Sequence, residues 1–337
     1  MMRFISCDWG TSALRLRLVD TRSLVVIAEV TTINGISTTF ESWKKSGTQQ
    51  KEKLSFYQSA LTEQIKELEK QSNLLLENIP VVISGMASSS IGMIELPYKE
   101  IPFSIDGHDL NIELIEATHE FNHSMLLISG AKTNDDAMRG EETQLIGCIN
   151  GNNREEGLFI FPGTHSKHIT VRNAKAVDVK TYMTGEFFEL LSKKSILSNN
   201  VESSDDIPNA DNTTSFDKGV LDSLQLNILH SLFRVRTNDL FGKLSKKENY
   251  YYLSGLLIGA ELREIVNVKM PITIVGDETL IKYYTTALIK LGVHGIKYQD
   301  AAKAVINGQC RLFNLYQSKI KQAKAPIDYN EAKLKRT

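Results

Sequence analysis

The pattern of apolar and polar positions changes several times along the chain, and each change predicts a secondary-structure element. Residues 3–8, 13–20 and 24–33 are short apolar segments, and 13–20 alternates leucine with polar side chains, which predicts three strands. Residues 48–76 place apolar side chains three and four positions apart, which predicts an amphipathic helix. The run VVIS after Pro80 predicts a buried strand. The first part of the chain is therefore predicted to be a β-β-β-α-β unit rather than an alternating βα domain.

The same pattern begins again near residue 158, where GLFIF predicts a strand. The elements predicted after it are strands at 168–173 and 176–183, helices at about 184–197, 216–235 and 248–268, a strand at 272–276, a helix from Glu278 and a last helix at about 300–316. Residues 198–215 have no apolar period and predict a mobile loop or lid. The Lys-rich tail, 317–337, is assigned no function.

Composition narrows the class of protein. The chain has 337 residues, which favours about two domains. Its 42% apolar and 23% charged residues are typical of a globular protein, and the net charge of -1 gives no field that would attract nucleic acid or an anionic membrane. Three distant cysteines fit neither a disulfide framework nor a thiolate metal site, and no signal or membrane-spanning segment is evident. We expect a cytoplasmic protein with a small-molecule partner.

The first motif with chemical potential is Asp8-Trp9-Gly10-Thr11-Ser12, between the first two predicted strands. Glycine allows a positive φ and a close backbone approach, Thr11 and Ser12 offer hydroxyl and amide donors, and Asp8 can hold a magnesium ion through water. These are the requirements of a phosphate-binding turn. An ordinary hairpin that uses Asp and Gly as turn formers explains the motif equally well.

A second hairpin motif, Phe161-Pro162-Gly163-Thr164-His165-Ser166-Lys167, repeats the strand, Gly-Thr turn and strand of the first. Two such turns, each opening its own domain, could hold a triphosphate from both sides. Lys167 adds a cation that would neutralise phosphate charge, and the alternative is a solvated lysine on a hairpin. The pair of motifs is more specific than either one.

An acidic motif lies between the hairpins, and it contains Asp136, Arg139, Gly140, Glu141 and Glu142. The glycine followed by two glutamates predicts a helix start, where the helix dipole is expected to lower the pKa of the carboxyl groups. A carboxylate here could accept a proton from a substrate hydroxyl. The alternative is ordinary acidic capping of a helix.

The segment His119-Glu120-Phe121-Asn122-His123 matches the HExxH pattern of zinc proteases. An apolar strand pattern follows immediately, which leaves room for barely two helical turns, and no third ligand is evident. We therefore interpret the match as coincidence.

These motifs resemble those of the sugar-kinase, hexokinase and actin superfamily, and within it the 2-dehydro-3-deoxygalactonokinase family. The segments that carry the resemblance run in family order over most of the chain, at 8–20, 85–98, 138–147, 161–171, 181–191, 232–237, 253–262 and 275–288. The resemblance implies an α/β, two-domain actin-like ATPase (ribonuclease H-like) fold with an interdomain cleft. The expected domains are 1–130, rejoined by the helix at 300–316, on the substrate side, and 131–299 on the nucleotide side.

The resemblance also implies a function, the ATP-dependent phosphorylation of the 6-hydroxyl of 2-dehydro-3-deoxy-D-galactonate. ATP and Mg²⁺ are the expected cofactors, the sugar acid is the expected partner, and a homodimer is compatible with the sequence. The alternatives are a kinase of the same fold for another 2-keto-3-deoxy sugar acid or sugar, and an actin-like nucleotide-binding protein without a small acceptor.

Site residues follow from the matching positions. The expected phosphate-binding residues are Gly10, Thr11, Ser12, Gly163, Thr164, His165, Ser166 and Lys167, and the expected adenosine-binding residues are Gly255, Gly276 and Asp277. The metal is assigned to Asp8, and the base is Glu141 with Asp136 as competitor. The expected substrate-binding residues are Gly85, Met86, Ser88, Ser89, Glu95, Tyr98, Lys99 and Arg139. Two departures from the family pattern are the run Ser88-Ser89-Ser90-Ile91-Gly92, where we expect an Arg-Gln-Gly-type stretch, and His168, where tryptophan is common.

Overall fold

A computed structural model describes residues 3–149, 156–203 and 210–324. The chain forms two compact units. The first comprises Met1–Pro97, Asp106–Gly130 and Val305–Thr337, and the second comprises Tyr98–Ile105 and Ala131–Ala304. The short segment Tyr98–Ile105 thus packs with the second unit, although the sequence division at residue 130 assigns it to the first.

Strands and helices are numbered in chain order. The strands are β1 (Arg3–Trp9), β2 (Leu14–Asp20), β3 (Val26–Thr32), β4 (Val81–Gly85), β5 (Lys99–Glu100), β6 (Phe103–Ser104), β7 (Ile112–Ile115), β8 (Met125–Ile128), β9 (Ala131–Lys132), β10 (Ala137–Met138), β11 (Gly157–Phe161), β12 (Ser166–Arg172), β13 (Lys175–Tyr182), β14 (Ile272–Gly276) and β15 (Lys297–Asp300). The α-helices are α1 (Ile36–Ser46), α2 (Lys53–Ser72), α3 (Glu141–Cys148), α4 (Thr184–Lys194), α5 (Ala210–Gln225), α6 (Ile228–Leu240), α7 (Lys246–Leu262), α8 (Glu278–Lys290) and α9 (Ala301–Lys324).

Each unit is built on a mixed sheet, and the two sheets share the arrangement of five strands. The first has the order β3-β2-β1-β4-β8-β7 and the second has the order β15-β14-β11-β12-β13-β6. In both, three consecutive strands (β1 to β3, and β11 to β13) are antiparallel neighbours. The first of the three pairs in parallel with β4 or β14, which pairs in parallel with β8 or β15. The sixth strands differ, since β7 pairs with β8 and β6 pairs with β13. The β-β-β-α-β order predicted from the apolar pattern is thus confirmed in the first unit, and its repetition is confirmed in the second.

The core of the first unit forms where α2 covers the sheet. Tyr57, Leu61, Ile65 and Leu68 recur at helical spacing on one face of α2, and all four are buried in the cluster that includes the inward side chains of β1 and β2. Burial of this stripe explains why a helix of only moderate propensity is stable here.

Helix α9 returns to the first unit from residue 305 onward. Phe313 stacks on Phe4 of β1 with ring centroids 6.1 Å apart. Gln309, which is fully buried, donates from Nε2 to the Cys7 carbonyl and to Ser84 Oγ, each at 2.9 Å. These bonds satisfy the buried amide nitrogen against two adjacent strands, so they fix the position of the helix on the sheet.

Several predicted elements were wrong in detail. Helix α1 was not predicted, although Ile36, Phe40 and Trp43 recur at helical spacing in its short sequence. The single helix predicted at 216–235 is two helices, since Asn227 caps a new one by accepting from the amide of Leu229 at 3.0 Å. The predicted loop at 198–215 contains the start of α5, while 204–209 lie outside the described residues. Helix α9 extends through Lys324 into the predicted tail, whose residues 325–337 are not described.

Candidate active site

The first hairpin turn lies on the N-terminus of α1. The backbone amides of Ile36 and Ser37 donate to the carbonyls of Gly10 (2.9 Å) and Thr11 (3.1 Å). Thr11 and Ser12 are exposed at the tip, where their hydroxyl groups face solvent. Gly10 does not use the positive φ that glycine permits, since its φ lies outside that region. The turn is shaped by the helix beneath it rather than by glycine.

Asp8 lies at the end of β1, next to this turn. Its side chain is 20% exposed, and Arg15 Nη1 of β2 lies 3.4 Å from its Oδ2. Burial raises the pKa of the Asp8 carboxyl, while the charges of Arg15 and Arg17 oppose that rise. The carboxylate therefore sits where bound positive charge would favour its ionised form.

The second hairpin repeats this arrangement. The backbone amide of Glu186, in the first turn of α4, donates to the carbonyl of Thr164 at 3.0 Å. His165 Nε2 lies 2.6 Å from the Glu186 carboxylate. Lys167 is only 6% exposed, and its Nζ donates to the His165 carbonyl at 3.4 Å. The lysine is thus held against the turn instead of extending into solvent.

A buried carboxylate, Glu261 of α7, lies beneath the second hairpin and is 3% exposed. It accepts hydrogen bonds from Ser166 Oγ (2.7 Å), His168 Nε2 (2.8 Å), Thr184 Oγ1 (2.5 Å) and Tyr284 OH (2.7 Å). These donors come from β12, α4 and α8, so one carboxylate fixes three elements around the turn. Ser166, predicted to bind phosphate directly, is fully buried and bonded to Glu261.

Next to Gly163, the second unit contains a pocket of about 310 Å³. Its walls are mostly aromatic and apolar, and its rim includes the first turns of α4 and α8. The lining residues are Gly163, Thr184, Gly185, Phe188, Tyr250, Tyr251, Ser254, Leu257, Ile258, Thr279, Leu280, Tyr283 and Tyr284. A flat apolar group fits such walls, and the two helix N-termini present positive dipole ends to an anion.

None of the three predicted adenosine residues is among the residues that line this pocket. Asp277 caps α8 by accepting from the amide of Leu280 at 2.8 Å, and Gly276 ends β14 beside Pro162. Gly255 does not line the pocket, and a Cβ there would lie 2.1 Å from the carbonyl oxygen of Phe216. Gly255 is therefore required for the close packing of α5 on α7.

The tyrosines of the pocket and Glu261 were missed from the sequence. The adjacent tyrosines at 250–252 and 283–284 could have predicted the pocket, because repeated aromatic residues on neighbouring helices can form one stacking surface. The sequence around Glu261 also indicates that its carboxylate is buried. It is a lone charged residue at the end of the apolar run LSGLLIGAEL, where a carboxylate has to be buried and hydrogen-bonded.

The three carboxylates of the acidic motif have different environments. Asp136 accepts from the backbone amide of Thr181 at 2.7 Å, and its other oxygen accepts from the Thr181 hydroxyl. Glu141 is the first residue of α3 and is partly exposed. Glu142 is fully buried, and burial together with the charge of Glu141 raises its pKa to about 8. The expected lowering by the helix dipole was wrong for Glu142, because desolvation outweighs it.

The substrate segment of the first unit is a tight turn after β4. Gly85 has a φ of 92°, and a Cβ there would lie 2.7 Å from the Trp9 carbonyl, so this position requires glycine. Ser88 and Ser89 are buried, and Ser89 Oγ donates to the carbonyl of Met86 at 2.7 Å.

A buried lysine of α2 supports this segment. Lys53 Nζ donates to the carbonyl of Ser90 at 2.9 Å. Burial lowers the pKa of Lys53, and the charge of Glu95, which is exposed, opposes the shift. The chain thus places a cation beside the serine run although the run itself contains none.

The remaining predicted substrate residues lie in the second unit. The guanidinium of Arg139 stacks over the ring of Tyr98 at 3.9 Å, which orients its planar face. Lys99 belongs to β5, which pairs in parallel with β9. The structure therefore brings Tyr98 and Arg139 together within one unit.

The structure does not support a zinc site at the HExxH match. Residues 119–123 are not helical, and His123 Nδ1 lies 2.9 Å from the carbonyl of Ile79, so the two histidines of the HExxH match do not share a helix face. All three cysteines are buried, and none of them forms a disulfide bond. In the part of the chain with described coordinates, no helix has the length and apolarity needed to span a membrane.

The sequence is similar to one family over most of its length. The model of the family described as 2-keto-3-deoxy-galactonokinase matches residues 8–312. An Escherichia coli 2-dehydro-3-deoxygalactonokinase is 33% identical over 230 residues, which cover 64% of this chain and 72% of the relative. A Rhizobium meliloti protein named probable 2-dehydro-3-deoxygalactonokinase is 27% identical over 317 residues, covering 90% of this chain and 94% of that protein.

Solved structures agree on the fold. A Sinorhizobium meliloti structure that carries the same family name is 26% identical, with a TM-score of 0.73 over 96% of this chain and 97% of that one. The activator of a 2-hydroxyisocaproyl-CoA dehydratase from Clostridium difficile, solved with ADPNP, is 13% identical, with a TM-score of 0.52 over 96% of this chain and 98% of that one. The predicted two-domain, actin-like α/β fold is confirmed.

Proposed function

The chain belongs to the 2-keto-3-deoxy-galactonokinase family, and we propose that it transfers the γ-phosphoryl group of ATP to the 6-hydroxyl of 2-dehydro-3-deoxy-D-galactonate. Membership of this family implies kinase activity, and kinases of this kind use ATP. The observation that carries the residue assignments is the second hairpin, whose Gly163 lines a pocket rimmed by the first turns of α4 and α8.

The nucleotide is assigned to the second unit. The aromatic walls formed by Tyr250, Tyr251 and Tyr283 suit the adenine ring, while Thr184 and Gly185 place the N-terminus of α4 near the phosphate turn. Glu261 has a positioning role, because it fixes Ser166, Thr184 and Tyr284 without lining the pocket itself. Thr164, His165 and Lys167 are assigned to the phosphate chain.

Magnesium is assigned to Asp8. A partly exposed carboxylate at a strand end, beside two exposed hydroxyl residues, fits an ion that keeps most of its waters and is held by one or two carboxylates and substrate phosphates. When bound, the ion would neutralise charge on the transferred phosphoryl group. Gly10, Thr11 and Ser12 offer backbone and hydroxyl donors for the same group.

Glu141 is assigned as the base. Its competitor Asp136 has both carboxylate oxygens engaged by Thr181, and a proton acceptor with two committed oxygens is a weaker candidate. Glu141 is partly exposed at a helix start, so it can reach a substrate hydroxyl.

For the sugar acid we propose groups of the serine turn after β4 and, separately, cations of the second unit. Gly85, Met86, Ser88, Ser89 and Glu95 supply backbone and side-chain groups for sugar hydroxyls. For the carboxylate we propose Arg139, whose stacking on Tyr98 presents its donors as a fixed fork, with Lys99 as a second cation. The cytoplasmic location and a homodimer remain predictions.

The test is a coupled ADP-release assay with purified protein across sugar acids and neutral sugars. We expect turnover to be highest with 2-dehydro-3-deoxy-D-galactonate and to require Mg²⁺. A clear preference for another 2-keto-3-deoxy acid or for a neutral sugar would refute the substrate. ATP hydrolysis that no acceptor stimulates would refute the assigned transfer reaction.

A further inference from the structure

The second unit contains another pocket, of about 380 Å³, that no step of the proposed reaction uses. It lies against the β12 and β13 strands and the chain that follows α7. The lining residues are Leu158, His168, Thr170, Arg172, Asp178, Lys180, Tyr182, Glu264, Ile265, Val268, Lys269 and Met270. Apart from His168, none of them belongs to the nucleotide pocket or to the Glu261 hydrogen bonds.

The chemistry of this pocket favours a small anion with an apolar body. Leu158, Ile265 and Met270 give it an apolar surface. Its charged residues are three cations and two carboxylates, and one pair is already formed, since Lys180 Nζ lies 3.1 Å from Glu264. Arg172 and Lys269 are exposed and make no ion pair with a described residue. Two cations remain available to a ligand, against the single carboxylate of Asp178.

His168 supplies an independent indication of a ligand. It is 3% exposed, and its Nε2 lies 2.8 Å from Glu261. Its other ring nitrogen, Nδ1, is buried without a hydrogen-bond partner among the described residues. A buried polar atom without a partner is costly, and Nδ1 accepts a hydrogen bond when the Nε2–H donates to Glu261. The pocket that His168 lines is the space from which a donor group of a ligand could satisfy it.

The same histidine connects this pocket to the nucleotide site. Glu261 bonds His168 on one side, and on the other it bonds Thr184 and Tyr284, which both line the nucleotide pocket. A ligand that changes the hydrogen bonding or position of the imidazole therefore acts on the carboxylate that fixes the nucleotide-binding elements.

We propose that this second pocket binds a small organic acid, with its anionic group held by Arg172 and Lys269, and that its occupancy changes nucleotide affinity through His168 and Glu261. The coupling rests on the proposed nucleotide site. The binding itself does not, so the two can fail separately.

Binding is tested by calorimetry with benzoate as the probe. Benzamide is the neutral control ligand and inorganic phosphate is the control without an apolar body. We expect wild-type protein to bind benzoate, and the R172A/K269A double variant to bind it about tenfold more weakly or worse, because two charge-assisted contacts are lost. Lys297→Ala removes an exposed lysine outside the pocket and should change nothing. Unaltered thermal unfolding of the double variant shows that it is folded.

Coupling is tested by titrating ADP with and without saturating benzoate, which needs no sugar substrate. We expect a shift in the ADP dissociation constant of at least about twofold, the same factor in the benzoate constant when ADP is present, and no shift in R172A/K269A. Benzoate binding that equals benzamide binding, or that survives the double substitution, would overturn the site. Benzoate binding with an unchanged ADP constant would overturn the coupling.

Discussion

The backbone amide of Glu186 donates a hydrogen bond to the carbonyl oxygen of Thr164 at 3.0 Å, so the second hairpin turn rests on the first turn of α4. In the first unit, the amide of Ser37 makes the equivalent bond to the carbonyl of Thr11 at 3.1 Å. In both units the helix that follows the third strand thus supports the turn between the first two. The repeated feature is the support of the turn, not only the Gly-Thr sequence at its tip.

Gly185 allows the close contact between α4 and the second hairpin. A Cβ at this position would lie 2.5 Å from the carbonyl oxygen of Gly163. We expect Gly185→Ala to destabilise the protein by about 2 kcal/mol, because the added methyl group has to displace backbone. Urea unfolding measures the change, and stability equal to wild type would show that the contact can relax.

Gly163 is the matched control, because nothing lies within 4 Å of an added Cβ and its φ is outside the left-handed region. Gly163→Ala should therefore fold with wild-type stability while placing a methyl group in the pocket. We expect KM for ATP to rise about tenfold, since even one misplaced methyl group costs about 1 kcal/mol or more in a fitted site. An unchanged KM would exclude this turn from the phosphate site.

Asp8→Asn tests the metal assignment. The raised pKa of Asp8 shows that burial disfavours the charged form, so a neutral amide of the same shape should leave the melting temperature unchanged or higher. We expect kcat to fall by about 100-fold or more, because charge stabilisation at the phosphoryl group is lost. Arg15→Gln, at the exposed neighbour, is the control for the ion pair alone. Wild-type turnover in Asp8→Asn would remove Asp8 from the site.

The two candidate bases are separated by paired substitutions. Glu141→Gln should lower kcat by about 100-fold or more with little change in KM for ATP, as expected for loss of proton transfer. Asp136→Asn should act mainly on stability, because its oxygens hold the amide and hydroxyl of Thr181. Steady-state kinetics and urea unfolding of both variants distinguish the two candidates. A large fall in kcat for Asp136→Asn, with near wild-type kcat for Glu141→Gln, would assign the base to Asp136.

Glu142 should make stability depend on pH. Its folded pKa of about 8 lies above the reference value of 4.5, so the unfolded chain loses this proton at lower pH than the folded protein. The stabilising contribution is complete below about pH 4.5 and is lost as pH rises through about 8. The free energy of unfolding of wild type minus that of Glu142→Gln should fall across this window and level off above it. A difference that does not change with pH would contradict the raised pKa.

The local pattern of apolar residues was sufficient to predict most strands of the two large sheets and helix α2. Leu14, Leu16 and Leu18 alternate, and the inward face of α2 repeats at helical spacing, so period alone identified these elements. Helix α1 is short and was missed, although it carries its own stripe of Ile36, Phe40 and Trp43, and its N-terminus supports the first turn. The break between α5 and α6 was missed because Asn227 acts through a cap, which leaves the apolar period almost unchanged.

The sequence by itself determined the repeated β-β-β unit, the two Gly-Thr turns and the acidic helix start, because these depend on local period and on residue type. Only the tertiary structure decided the state of individual side chains. It buried Glu142 and raised its pKa to about 8, committed Asp136 to Thr181, and placed Gly255 at a helix crossing. It also gathered Ser166, His168, Thr184 and Tyr284 around Glu261. Desolvation and hydrogen bonding depend on residues far away in sequence, such as Ser166, which is 95 residues from Glu261, and Cys7, which is 302 residues from Gln309. No local pattern records them.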